Sequence, residues 1–109
     1  LVGVFGNNDQ ERASLESAIA AHGFYFQDPP YEVVWASRRV IIVHDPMDLD
    51  GVLTPDHDLA LHGHTHLQHI ENRSSQLIFN PGECAGHIQG LNAIGIVELD
   101  SLEAKIIRF

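Results

Sequence analysis

His64 and His66 flank Thr65 directly after Gly63, His44 follows the apolar run Val40–Val43, and Asn7 and Asp9 follow Gly6. Neutral imidazole nitrogen combined with carboxamide or carboxylate oxygen suits Zn²⁺, Mn²⁺, Fe or Ni²⁺. If the backbone stays extended, an i, i+2 spacing turns both rings of the His-x-His pair in similar directions, toward one metal or two neighbouring ones. Gly63 lets the backbone approach an ion closely, and the Thr65 hydroxyl could orient one ring. Each group also has a blander reading. His-x-His alone is a weak signal, and Asn7-Asn8-Asp9 alone is an ordinary turn and helix cap. His22, His57, His69 and His87 read as solvated or hydrogen-bonded loop residues, His62 as a strand residue facing a neighbour, and Cys84 as inert.

The elements that must position these groups follow from apolar patterning. Leu1 to Phe5 is a buried strand ending at Gly6. Gln10 to Ala21 is helical, with Leu15, Ala18, Ile19 and His22 on one face, an Asn8/Glu11 capping pair and a stop at Gly23. Tyr31–Trp35 and Val40–Val43 are strands joined by Ala36-Ser37-Arg38-Arg39, the second apolar without alternation, as in a strand covered on both faces. Residues 46–57 form a loop with room for one helical turn, and Asp58–His62 is a short strand. Leu67–Glu71 and Gln76–Asn80 flank a hairpin turn at Asn72-Arg73-Ser74-Ser75, and Ala93–Leu99 and Ala104–Phe109 turn at Asp100-Ser101. The pattern is one α/β domain, strand-rich toward its C-terminus. Asn7, Asp9, His44, His64 and His66 all lie just past strand ends, where ligand sites of open α/β sheets gather.

Composition narrows the function classes. With 109 residues the chain is one domain's worth, and 44% hydrophobic against 19% charged residues is an ordinary globular balance. No apolar run approaches the ~20 residues of a membrane span. Leu1–Phe5 lacks signal-peptide features and reads as a strand already under way, so sequence upstream of Leu1 is expected. The lone Cys84 points to a reducing compartment, and hence a cytoplasmic location. A net charge of −9 disfavours general nucleic-acid or anionic-membrane binding. It would also repel a phosphate substrate unless divalent cations reversed the sign locally. The 8 histidines are the compositional outlier, and they point the same way.

Taken together, the blocks resemble the calcineurin-like metallophosphoesterases, in particular their small bacterial and archaeal phosphodiesterase branch. Gly6-Asn7-Asn8-Asp9 matches that family's Gly-Asn-x-Asp, and Val43-His44 its strand-end histidine. Gly63-His64-Thr65-His66 matches the most diagnostic signature, and Asn80-Pro81-Gly82 the segment that follows. The resemblance implies the C-terminal part of a four-layer αββα sandwich with mixed β-sheets. It further implies two divalent metal ions (Mn, Ni, Fe, Zn or Mg), with Asn7, His44 and His64 on one and His66 on the other. Asp9 would support the site, and Asn7, Asp9 and His44 would be its catalytic residues. The implied activity is hydrolysis of a small phosphate ester, more a diester than a monoester, by a metal-bound hydroxide.

Two departures accompany the resemblance. The family's Asp-x-His and Gly-Asp blocks, which hold most of the first ion, would lie before Leu1. The expected partner is therefore a second copy or a chain carrying the N-terminal part. Asn8 stands where many relatives place an acidic histidine, and Asp45 where they often have glycine. These departures leave a non-catalytic interaction scaffold as the alternative reading.

Overall fold

A computed structural model describes residues 1–109. The element order is β1 (Val2–Val4), α1 (Arg12–Ala21), β2 (Tyr25–Gln27), β3 (Tyr31–Trp35), β4 (Arg38–Ile42), a 3-10 turn (Pro46–Leu49), β5 (Leu59–Leu61), β6 (His69–Arg73), β7 (Gln76–Asn80), β8 (Ala93–Glu98) and β9 (Glu103–Arg108). The α/β class is as expected, with three sheets and one α-helix. No helix is long and apolar enough to cross a membrane.

The central sheet has the order β3-β4-β5-β7-β6. Strands β4, β5 and β7 run parallel, flanked by antiparallel β3 and β6. Its middle strands are short and rich in Val, Ile and Leu because both faces are covered. On one face Ile41, Val43, Ala60 and Ile78 pack with Leu49 of the 3-10 turn and Leu53 beyond it. On the other, Val40, Leu59, Leu77 and Phe79 meet Val97, Leu99, Ala104 and Ile106 of the β8–β9 region. Strand pleating explains the division, since Leu59 and Ala60 point to opposite faces. β1 and β2 form a separate parallel pair crossed over by α1, and β8–β9 a separate antiparallel hairpin.

Local differences from the sequence reading have physical causes. The β3–β4 turn is only Ala36–Ser37, both at positive φ (49° and 64°), the twist that a two-residue hairpin requires. Arg38 and Arg39 therefore belong to β4. The β6–β7 turn is likewise shorter, and β6 reaches Arg73. The helix begins at Arg12 with no side-chain cap, so Asn8 does not cap it. Only Leu15 and Ile19 of its apolar face are half-buried, while Ala18 and His22 are exposed. His57 is the hydrogen-bonded loop residue of the two readings offered for it, not the solvated one. It is buried, accepts from the Thr54 amide through Nδ1 (3.0 Å), and pairs through Nε2 with Glu32.

Gly95 on β8 shows how closely the hairpin sits on the central sheet. A Cβ there would drive into the Phe79 ring and lie 3.2 Å from Pro81 Cβ. Gly95→Ala is expected to destabilise by about 1–3 kcal/mol through overpacking. At roughly 4–8 °C per kcal/mol for a domain of this size, thermal unfolding should show it clearly. An unchanged melting temperature would mean that the hairpin does not press on Phe79.

Candidate metal centre

Backbone pairing beyond the strand ends brings the blocks together. The β4–β5 ladder continues as Val43 N–H to Leu61 O (3.0 Å) and then Gly63 N–H to His44 O (2.9 Å). His44 is thereby zipped against the Gly63–His64 turn. The third contributor arrives from β1, where the Asp9 carboxylate accepts the Gly6 N–H at 2.5 Å and closes the turn that carries Asn7. Gly6 is needed here for close approach: a Cβ would stand 3.1 Å from the His44 ring.

Three donor atoms converge as a result. Asn7 Oδ1 lies 2.5 Å from His44 Nε2 and 3.2 Å from His64 Nδ1, and the two ring nitrogens are 3.1 Å apart. The rings meet edge-on, with centroids 5.0 Å apart. Such separations are about those of neighbouring ligands around an ion with ~2.0–2.2 Å bonds. Asp45 Oδ2 faces His64 Nε2 at 3.5 Å, which favours the hydrogen on Nε2 and leaves a lone pair on Nδ1. That lone pair faces His44 Nε2 and Asn7 Oδ1, a space that a hydrogen on His44 Nε2 or a cation would fill. The donor chemistry fits a divalent ion with nitrogen and oxygen ligands.

His66 stands elsewhere. His64 and His66 both adopt left-handed backbone (φ 68° and 60°) instead of the extended form assumed from sequence, so their rings do not share a direction. Such conformations are uncommon for histidine and gather at functional sites. His66 Nδ1 is 3.1 Å from Glu83 Oε2, which leaves Nε2 as its free nitrogen. No three side chains among His, Cys, Asp and Glu form a cluster that could hold an ion, so the trio depends on the Asn7 carboxamide. Asp9 braces the Gly6 turn and is not among the converging donors.

Asn80, Thr65, Asp45, Glu83 and His62 shape the surroundings of the centre. Asn80 is fully buried. Its Nδ2 donates to Gly63 O (3.3 Å) and Thr65 Oγ1 (3.2 Å), and its Oδ1 accepts the Gly82 N–H (2.9 Å). Thr65 therefore binds Asn80 and the Leu67 backbone, not a histidine. Asp45 splits its oxygens between the Met47 N–H (2.9 Å) and His64, and Glu83 holds His66. His62 is buried, and that burial pushes its imidazole below the usual histidine range. Asp45 was singled out in sequence, and Glu83 carried the same signal, an acidic residue next to a matched block. His22 and His87 remain exposed and apart, and Cys84 is a free, exposed thiol.

Comparison with known proteins matches the chain to a family. The family model of the calcineurin-like phosphoesterase superfamily domain matches residues 1–102. A phosphodiesterase of Methanocaldococcus jannaschii is 27% identical over 110 residues, which is 96% of this chain but 66% of that protein. The solved structure of an archaeal phosphodiesterase superposes with a TM-score of 0.77 at 28% identity, covering 99% of this chain and 68% of the other. Two further structures share the fold alone. Yfce, a phosphoesterase from E. coli, gives a TM-score of 0.54 at 21% identity over 96% of this chain and 62% of its own. A single mutant of Vps29 from Entamoeba histolytica gives 0.53 at 10% identity over 97% and 79%.

Proposed function

This chain belongs to the calcineurin-like phosphoesterase superfamily, and on that premise we propose that the protein is a metal-dependent phosphodiesterase acting on a small soluble phosphate ester. The supporting observation is the convergence of Asn7 Oδ1, His44 Nε2 and His64 Nδ1 within 3.2 Å of one another. Those three atoms would hold one divalent ion, and His66 Nε2 would contribute to a second. When bound, such ions supply Lewis acidity at the phosphoryl oxygens and a nucleophile available at neutral pH. The chain's own residues provide orientation. Asp45 and Glu83 fix which nitrogen of His64 and His66 is offered, Asp9 fixes the turn bearing Asn7, and Asn80 fixes the turn bearing both histidines. None of these groups is placed to protonate a departing alkoxide, since Asn8 is a neutral carboxamide. Substrates with acidic leaving groups should therefore be favoured.

The test is hydrolysis of bis(p-nitrophenyl) phosphate by the natural full-length protein. Dialysis against a chelator should remove activity, and Mn²⁺ or Ni²⁺ should restore it. The diester should be preferred to p-nitrophenyl phosphate. Full activity after chelation would overturn the reading.

The Asn8 carboxamide, which stands where an acid would protonate the leaving group, favours a second reading, a superfamily member that binds at most one ion and serves as an interaction scaffold. Metal analysis after purification decides between the two: about two ions per chain supports the enzyme, and none supports the scaffold.

A further inference from the structure

His62 sits just past β5, where pleating sends its side chain to the Ala60 face of the central sheet, away from Leu59 and Leu61. Only 9% of it is exposed. Its Nδ1 is 3.2 Å from the Gly63 carbonyl oxygen. A carbonyl can only accept, so Nδ1 carries the hydrogen and Nε2 carries a lone pair. That Nε2 is buried and has no hydrogen-bond partner. An acceptor left so is costly, by about 1–3 kcal/mol, and calls for an explanation.

The surroundings supply one. His62 lines a cavity of about 280 Å³ beside the 3-10 segment, with an apolar floor of Leu49, Leu53 and Ile78. The β6 residues His69, Glu71 and Arg73 line the same cavity. The His62 and His69 rings lie 5.8 Å apart between centroids, tilted by 49°. His69 Nε2 is 3.1 Å from Glu71 Oε1, a carboxylate that accepts, so the His69 lone pair belongs to Nδ1. Each imidazole thus has one nitrogen anchored to an oxygen and the other left free, the arrangement by which metal-ligating histidines are oriented. With ~2.0–2.1 Å metal–nitrogen bonds, two imidazoles on one ion place their centroids about 5–6 Å apart. A water donating both its hydrogens or a cation would satisfy the two lone pairs, and the anchoring of both rings through their other nitrogens favours the cation. The Arg73 guanidinium is already paired with Glu71, and the net charge of −9 favours cation uptake.

We propose that His62 and His69 form a two-imidazole site for a borderline divalent cation such as Zn²⁺, Co²⁺ or Ni²⁺, separate from the Asn7–His44–His64 centre. No third imidazole, thiolate or carboxylate completes the set. Water fills the remaining positions, and the ion is exchangeable. All-imidazole ligation selects against Mg²⁺ and Ca²⁺, which prefer oxygen.

The experiment is a Zn²⁺ titration followed by imidazole ¹H–¹⁵N NMR, in a His64→Ala background so that the first centre does not compete. His62 Nε2 and His69 Nδ1 should move together and saturate at one ion. Adding His69→Ala, an exposed edge-strand change with little bearing on folding, should weaken Zn²⁺ binding at His62 at least about tenfold, since losing even an outer partner of a ligand costs 10–100-fold. Adding His22→Ala instead should change nothing. The proposal is overturned if Zn²⁺ leaves the His62 ring unmoved, or if His62 responds equally with and without His69. Catalysis plays no part in this readout, so it stands or falls apart from the phosphodiesterase reading.

Discussion

His64→Ala in the full-length protein is expected to lower kcat/KM for an aryl phosphodiester by about a thousandfold. The loss should appear mostly in kcat. His64 Nδ1 is one of only three donor atoms at the centre, and it lies 3.1–3.2 Å from the other two. Its removal leaves Asn7 and His44, too few to retain an ion against water. Metal-ion stabilisation of phosphoryl charge is worth several kcal/mol, and each 1.36 kcal/mol is tenfold in rate. Folding should hardly change, because the His64 side chain is exposed on a turn and its backbone anchor is the Gly63 N–H bond to His44 O. Steady-state kinetics with metal analysis and a melting curve separate the outcomes. A normal melting temperature with lost metal and lost turnover is the expected result. Equal rates for variant and wild type would remove His64 from the centre.

Much of this site was legible in the sequence, because its donors belong to short blocks at strand ends. Asn7, Asp9, His44, His64 and His66 were singled out by residue type and strand-end position, and the resemblance grouped Asn7, His44 and His64. The ladder through Val43 and Gly63 joins the two histidines, and the Gly6 turn brings Asn7 to them. Strand-end placement is a short apolar run ended by a polar residue, and one sequence can display it. Sequence could not display backbone handedness. His64 and His66 at φ 68° and 60° turn their rings apart, whereas an extended His-x-His would have aligned them. His66 therefore reaches Glu83 instead of the trio. Residues separated by many positions, such as His57 and Glu32, meet only through the tertiary fold, so the hydrogen-bonded state of His57 was legible but its burial and its partner were not. The helix start was misread for a related reason. The Asn8/Glu11 pattern resembles a cap, yet Asp9 is drawn instead to the Gly6 amide by the turn that shapes the site.

The fold was legible where hydrophobic runs were long. Val40–Ile42 lie in the inner strand β4, as the apolar run without alternation suggests, and Gln76–Asn80 form β7 of the expected hairpin. Turn lengths were overestimated at Arg38-Arg39 and Asn72-Arg73, where charged residues sit within strands at exposed or edge positions. A charged residue costs little there, since it keeps its backbone pairing while its side chain reaches water. The three-sheet division was not legible. Which strands pair is decided by long-range contacts, and the β8–β9 hairpin lies over Phe79 although it follows β7 in sequence.

Asn80→Ala is expected to damage both stability and the centre, and the two effects can be told apart. Asn80 is wholly buried at the end of β7, and its amide satisfies three groups: the Gly63 carbonyl, the Thr65 hydroxyl and the Gly82 amide. Truncation leaves these without their partner, at about 1–3 kcal/mol for each group that water cannot reach. A domain of this size loses roughly 4–8 °C of melting temperature per kcal/mol, so a drop of about 10 °C or more should be seen. The Gly63–His66 turn also loses its tie to the Pro81–Gly82 segment, and with it the force that holds two histidines in left-handed backbone. Metal affinity measured well below the lowered melting temperature should therefore fall by about 10–100-fold, the usual consequence of losing an outer support. Asn80→Asp makes the sharper test. It keeps the acceptor for Gly82 but removes both donated hydrogen bonds and buries a charge, so it should be the less stable of the two variants. If Asn80→Ala melts early yet binds metal as wild type does, then Asn80 supports the fold alone and the turn holds its shape without it.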